Sequence, residues 1–405
     1  MLNQDLNILV LNAGSSSFKS SLYRLTRENL SLDPVTPLWT GQIDWNSAGT
    51  AVFEAKTADN TVKEERTGTD RTADIHDLLS WLWSGKTQVI IDITQIDIVG
   101  NRIVHGGERY RQPTLITPEV KTEIDRLSLY APLHNPANLK GITAIESLAP
   151  HLPQLAVFDT AFYRDLPEVA YVYPVPYQWL ERGIRKYGFH GISHQYCTRR
   201  AAKLLGRNLD ELRLISCHLG NGCSLAAMSA GRCIETTMGF TPLDGLMMGT
   251  RCGALDPGVV LHLQRERHMS LAQVEQLLYH ESGLLGVSGI SGDMSVLIKS
   301  HDQHAQEAVE MYVYRIVREF GSLAAALGGV DALVFSGGVG EHATEIRARV
   351  CVALAWLDLK LDANRNAEGA SCISCADSDV SAWVIATHED EIIAQHTLQV
   401  SHAVR

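Results

Sequence analysis

Two α/β domains of related fold are what this sequence predicts, and three observations carry that prediction. Short apolar runs end abruptly in small or functional residues, helical spacing fills intervals between them, and one strand–turn–strand form occurs twice. Residues 8–11 end at Asn12, 96–99 at Gly100, Asn101 and Arg102, and 155–158 at Asp159. Further along, 214–217 end at His218, 333–335 at Ser336 and Gly337, and 384–386 at Thr387, His388 and Glu389. Each reads as a buried strand opening into a polar loop, the place where open α/β sheets bind ligands. Ala305, Ala308, Val309, Tyr312, Ile316, Phe320, Leu323 and Leu327 recur at helical spacing until Gly328 and Gly329 stop them. Stretches 45–77 and 364–379 are polar and weakly patterned, and read as exposed β-structure and loop. "ILVLNAGSSSFKSSLYRL" and "RLISCHLGNGCSLAAMSAG" share one order: apolar strand, Asn beside Gly, small residues, second apolar stretch. Both read as hairpins with a tight glycine turn, which suggests a duplicated domain with a cleft between the halves.

Composition narrows the function. The 405 residues allow about two to three domains of ~150 residues. A formal net charge of −11 speaks against a nucleic-acid surface. It also means that any anion site must supply its own local positive charge. Residues 1–11 lack a basic segment and a long apolar run, so no signal peptide is expected, and no stretch approaches the ~20 apolar residues of a membrane span. The eight cysteines are scattered, as in a reducing cytoplasm. Cys372 and Cys375 form a C-x-x-C but lack the second pair a zinc site would need.

The first hairpin, "LVLNAGSSSFK", is not a P-loop, which requires G-x-x-x-x-G-K-[ST] before a helix. It reads either as a solvated hairpin turn in which Gly14 supplies an unusual φ, or as an anion cradle. The second copy, from His218 to Ser224, favours the cradle, because two glycine turns could present N–H groups to a polyphosphate. "SGGVGE", from Ser336 to Glu341, is a third place where backbone could approach a ligand closely.

Ten stretches in order along nearly the whole chain carry a family resemblance. They are "LNAGSSSFK", "RIVHGGERY", "APLHNPAN", "VFDTAF", "YGFHGISH", "CHLGNGCS", "MGFTPLDGLMMGTRCG", "ESGLLGVSGIS", "VFSGGVGE" and "THEDEIIA". With them the sequence resembles the acetate and propionate kinase family of the actin and sugar-kinase superfamily. The resemblance implies two duplicated actin-like (ribonuclease-H-like) α/β domains with the active site in the cleft between them. The first domain is expected at 1–158 plus 392–405, and the second, which binds nucleotide and forms a homodimer, at 159–391. The implied reaction moves the γ-phosphoryl of ATP reversibly onto acetate, giving acetyl phosphate and ADP, with Mg2+ as cofactor and Mn2+ able to substitute. Propionate is expected as a weaker substrate, the location as cytoplasmic, and neither nucleic acid nor membrane as a partner.

The chemistry is electrostatic. A carboxylic acid with pKa near ~4 is already ionised at neutral pH, so the nucleophile needs no general base. The task is to bring one anion up to another, which requires cations in a site of reduced dielectric. Arg102 and Arg251 lie among small and apolar residues, and the resemblance makes both of them substrate-binding and catalytic. Asp159 and Glu389 follow strands, as magnesium-linked carboxylates should, and the resemblance adds Asn12 near the metal. By resemblance, His190 bonds the phosphoryl group in flight and His134 helps to position it. Val104, Leu133, Phe189 and Pro242 are expected around the alkyl group, with Val104 leaving little room beyond a methyl. The nucleotide is expected at Asn12, Ser15, Ser17, Lys19, His218, Gly220, Asn221, Gly222, Asp293, Gly338, Val339 and Gly340.

Five positions depart from the family pattern. Asn101 stands where histidine is usual, Ile192 replaces a threonine, His342 and His388 replace asparagines, and Ser295 stands near a frequent arginine. The last predicts weaker ATP binding or a broader choice of nucleotide. Two other readings belong to the same cleft: a sugar or polyol kinase, which would need an aspartate base, and an actin-like nucleotide switch, which has no use for Arg102. A zinc hydrolase fits poorly, because Gly191 occupies the glutamate position of H-E-x-x-H between His190 and His194.

Overall fold

The structure is a computed structural model that describes residues 5–14, 16–26, 34–46, 49–68 and 70–401. The chain divides into two compact units, Met1–Phe162 with His388–Arg405, and Tyr163–Thr387. Ser15, one of the expected nucleotide residues, lies outside the described residues.

The first unit is built on an eight-stranded sheet. Strands β1 (Leu6–Ala13), β2 (Ser17–Leu25), β3 (Trp39–Trp45), β4 (Thr50–Lys56) and β5 (Thr61–Thr67) form an antiparallel meander. Strands β6 (Ile98–Ile103) and β8 (Gln154–Phe158) continue from β1 in parallel, and the two-residue β7 (Thr114–Leu115) closes the edge. Leu9, Leu11, Phe18, Leu22, Trp39, Ile43 and Phe53 bury one face of the meander. The helix Glu389–Val400 lies against β1 and β6. Gly100 permits that approach, since a Cβ there would meet Thr397 Oγ1 at 2.3 Å and Ile393 Cγ2 at 2.8 Å.

The second unit carries a five-stranded sheet. An antiparallel trio, β9 (Arg213–Leu219), β10 (Cys223–Ser229) and β11 (Arg232–Thr236), adjoins β12 (Ala332–Ser336) and β13 (Ser381–Val384), which run parallel to β9. Its first-sheet counterpart is the order β3-β2-β1-β6-β8, matched by β11-β10-β9-β12-β13 with the same strand directions. The duplication suggested by the hairpin echo is therefore a repeat of a whole sheet plan. The helical spacing seen from Ala305 onward becomes the helix Gln303–Leu327, ended by Gly328 at φ +67°.

Two boundaries differ from expectation. The turn Asp159–Tyr163 follows β8 without a break, and the last helix starts at Glu389 instead of near residue 392. Asp159 and Glu389 consequently belong to the first unit. The stretch 45–77 is more regular than its pattern suggested. It holds β4, β5 and the helix Arg71–Ser80, and β5 has no buried residue, which is why it shows no alternation.

Candidate active site

In the first unit, three neighbouring parallel strands deliver side chains to one edge. Asn12 and Arg102 stand next to the last residues of β1 and β6, and Asp159 follows β8. Glu389 opens the C-terminal helix, where the positive end of the helix dipole favours a carboxylate. Arg102 ties them together. Its Nη2 donates to Asp159 Oδ2 at 2.8 Å, and its Nη1 donates to Asn12 Oδ1 at 3.2 Å and lies 3.1 Å from Glu389 Oε2. The Asn12 amide also donates to Glu389 at 3.4 Å. Burial opposes the Arg102 charge, but the carboxylates of Asp159 and Glu389 outweigh it and raise the guanidinium above its ordinary pKa.

The loop after β6 is held by two buried asparagines of "HNPAN". Asn138 accepts from Val104 N and donates to Ala13 O at 2.7 Å, while Asn135 accepts from His105 N and donates to His105 O. This fixes Val104, which is buried, near the start of the helix Asn135–Leu148, which Leu133 and His134 precede, both half-buried. His105 is fully buried, and burial with the Arg126 charge lowers its pKa to about 3. Asn101, one of the departures, is a sheet clamp: it donates to Gln154 Oε1 at 3.1 Å and to Leu155 O at 3.3 Å.

In the second unit the same sheet edge carries histidines and glycine turns. His218 ends β9 and pairs in register with Ser336 at the end of β12. His190 sits at φ +56° immediately before the helix Gly191–Leu205, a left-handed conformation that a β-carbon disfavours. The His190 and His218 rings stack with centroids 4.3 Å apart. Beneath them, His190 Nδ1 and His194 Nε2 share Ser224 Oγ at 2.9 and 2.8 Å, and His194 Nδ1 meets Ser216 Oγ at 2.9 Å. Ser193 Oγ links Thr387 Oγ1 at 3.0 Å to His218 Nδ1 at 2.8 Å.

Arg251 lies against this group. A Cβ on Gly222 would meet Arg251 Nη2 at 2.7 Å and His190 Nε2 at 3.3 Å, so only glycine fits between them. Arg251 Nη1 donates to Pro242 O at 2.7 Å, and among the described residues Arg251 pairs with no carboxylate. Burial accordingly lowers its pKa. Phe189 is buried beside His190, with its carbonyl accepting from the Tyr163 hydroxyl.

A cavity of 550 Å³ in the same unit gathers much of the expected nucleotide set. Gly220, Asn221, Asp293, Gly338 and Val339 line it, together with Ser295 and His342. Lys299 also lines it, a cation one helical turn beyond Ser295 that sequence reasoning missed. Gly340 does not line it but packs behind, on Phe335 and Leu219. Arg347, fully buried, pins that turn by donating to Gly340 O, Glu341 O and Asn366 Oδ1. Lys19 is elsewhere: it lines a separate cavity of 180 Å³ with Thr40, Lys56 and Asp390 in the first unit. Ser17 is the turn residue whose carbonyl accepts from Gly14 N at 2.7 Å.

A divalent cation fits the first cluster by donor chemistry. Magnesium takes oxygen ligands, commonly one or two carboxylates with phosphate and water. Asp159, Glu389 and Asn12 offer that oxygen set at one sheet edge. No described helix is long and apolar enough to cross a membrane.

Comparison with known proteins agrees with this architecture. The sequence profile of the acetokinase family matches residues 7–395. The acetate kinase of Gloeobacter violaceus is 51% identical over 401 residues, covering 97% of this chain and 99% of that protein. The crystal structure of Porphyromonas gingivalis acetate kinase superposes with a TM-score of 0.86 at 39% identity, covering 98% of this chain and 99% of the other. A propionate kinase from Francisella tularensis superposes with a TM-score of 0.87 at 34% identity, covering 96% and 98%. A repeated sheet plan thus meets a profile that runs through both copies, and the chain belongs to the acetokinase family of carboxylate phosphotransferases.

Proposed function

We propose that this chain catalyses reversible transfer of the γ-phosphoryl group of ATP to acetate, giving acetyl phosphate and ADP. A carboxylate oxygen attacks phosphorus in line, the bond to the β-phosphate bridging oxygen breaks, and ADP leaves. The observation that carries the reading is Arg251, a half-buried guanidinium with no carboxylate partner among the described residues. Such a charge is costly unless an anion pairs with it. Arg251 and Arg102 are the groups that hold acceptor carboxylate and equatorial phosphoryl oxygens, and His190 donates to the transferring group, with His134 positioning it. Val104, Leu133, Phe189 and Pro242 enclose the methyl group of acetate.

ATP occupies the 550 Å³ cavity, with its phosphates toward the glycine turn of Gly220 and Gly222. Asn12 and Glu389 would hold Mg2+, or Mn2+ in its place, with Asp159 beside them, and the ion would supply charge against the phosphates. The protein works in the cytoplasm, where ATP is present, with its cysteines as free thiols. It forms a homodimer through the second unit. The helix Pro257–Glu266 has no buried residue, and Leu271 and Tyr314 of that unit are 73% and 65% exposed, which supports an interface there. Trapping the product with hydroxylamine tests the activity. Acyl hydroxamate should form from acetate, less from propionate and little from butyrate, and should stop on chelation. No hydroxamate from any of the three would end the proposal.

A further inference from the structure

The serines under the histidine pair do more than fill space. Ser216, His194 and Ser224 are all fully buried, and they form a single file of hydrogen bonds to His190 Nδ1. Among the described residues Ser216 Oγ has one partner, His194 Nδ1. A serine hydroxyl carries one proton, and a neutral imidazole is a donor at one nitrogen and an acceptor at the other. Besides the two directions of the file, both rings could donate to Ser224, but that would bury the Ser224 hydroxyl proton with no acceptor among the described residues. If His194 Nδ1 were protonated and donated to Ser216, the Ser216 hydroxyl proton would be buried with no acceptor, the more costly kind of orphan. The opposite direction satisfies every proton. Ser216 donates to His194 Nδ1, His194 Nε2–H donates to Ser224, and Ser224 donates to His190 Nδ1. His190 then carries its proton on Nε2, the nitrogen that faces Gly222 and Arg251.

We propose that Ser216, His194 and Ser224 are positioning residues that lock His190 in the Nε2–H form, so that it meets the phosphoryl group as a donor. This rests on the reading of His190 as a phosphoryl ligand. A second, shorter file repeats the device: Thr387 donates to Ser193, and Ser193 donates to His218 Nδ1, leaving the His218 proton on Nε2. Burial keeps His194 neutral, holding its pKa well below the ordinary histidine value with help from His218. A neutral His194 is what a relay of fixed direction needs, since a doubly protonated ring would have no acceptor for Ser216.

Nuclear magnetic resonance of the full-length enzyme labelled with ¹⁵N-histidine reads the tautomer directly from two-bond proton–nitrogen correlations. The His190 signals are those missing in His190→Gln. The expected result is the Nε2–H pattern for His190 and His194 in the native enzyme, with His190 Nδ1 at the shift of a hydrogen-bonded acceptor. In Ser224→Ala that Nδ1 signal should move to the position of an unbonded nitrogen. The kcat should fall roughly tenfold while the KM values for ATP and acetate stay within about twofold, as for loss of an outer partner that orients a histidine. An Nδ1–H pattern at His190 in the native enzyme, or an unmoved Nδ1 signal in Ser224→Ala, overturns the relay. Full turnover by His190→Gln would instead remove the phosphoryl-ligand reading, a separate result that leaves the tautomer measurement to decide the relay.

Discussion

The two arginines make an instructive pair, one in each unit. Arg102 is surrounded by Asp159, Glu389 and Asn12, and its charge is matched several times over. Arg251 has a backbone carbonyl and no carboxylate among the described residues. The same residue type therefore stabilises its unit in one place and strains it in the other. Arg102 completes a cluster of the folded protein. Arg251 has no carboxylate to match it among the described residues, which is the condition a cation proposed to bind an anion must meet.

Replacement separates them. Arg102→Ala and Arg251→Ala should each lower kcat/KM for acetate by about a thousand-fold, the scale of a lost transition-state arginine. Thermal unfolding should split them. Arg102→Ala takes the guanidinium away from Asp159, whose side chain is only 1% exposed, a destabilisation of ~3–5 kcal/mol. Arg251→Ala removes a desolvated charge and should leave the melting temperature unchanged or raised. Equal losses of stability would break the contrast.

Each unit also buries one neutral histidine, His105 in the first and His194 in the second. A folded pKa below the unfolded value means that the unfolded chain binds the extra proton first. Stability is therefore full above pH ~6.5 and lost as pH falls toward the folded value, about 3 for His105. Each histidine should contribute a slope of ~1.4 kcal/mol per pH unit within that window. Denaturant titrations across pH measure it, and His105→Gln should remove the share of the first unit alone.

A smaller effect concerns the acceptor. Val104→Ala should raise kcat/KM for propionate about tenfold relative to acetate, since one methylene is worth ~1–3 kcal/mol in such a pocket. The smallest concerns the nucleotide. Lys299→Ala should raise the KM for ATP about fivefold without changing kcat, as expected for an exposed charge contact of ~1 kcal/mol. Adding Ser295→Arg to that variant should restore it.

How much of this the sequence disclosed depends on how each residue acts. Residues at strand ends announce themselves, because an apolar run stopping at Asn12, Asp159 or His218 is visible in one dimension. The hairpin echo likewise foretold the repeated sheet. Ser216 and Ser224 were invisible, because a serine inside an apolar strand looks like a neutral filler until the partner strand and the covering helix bring His194 and His190 to it. Arg347 was hidden for the same reason: its partners Gly340 and Asn366 come from separate segments. Lys299 carried no signal because a lone lysine in a polar stretch looks like any solvated charge until the fold lines it up with Ser295 on one cavity. Lys19, expected at the nucleotide from its place in a serine-rich hairpin, lines a cavity of the first unit with Thr40, Lys56 and Asp390.

The return of the chain to its first unit has a consequence for synthesis. The helix Glu389–Val400 supplies both the cover over Gly100 and a carboxylate for Arg102, yet it is synthesised only after the whole of the second unit. Until then the nascent sheet exposes an apolar flank and an arginine short of one counter-charge, so this half matures only after the other has been made. Birth order and folding order are thus reversed, and a stop placed before Glu389 should cost the early half more than the late one.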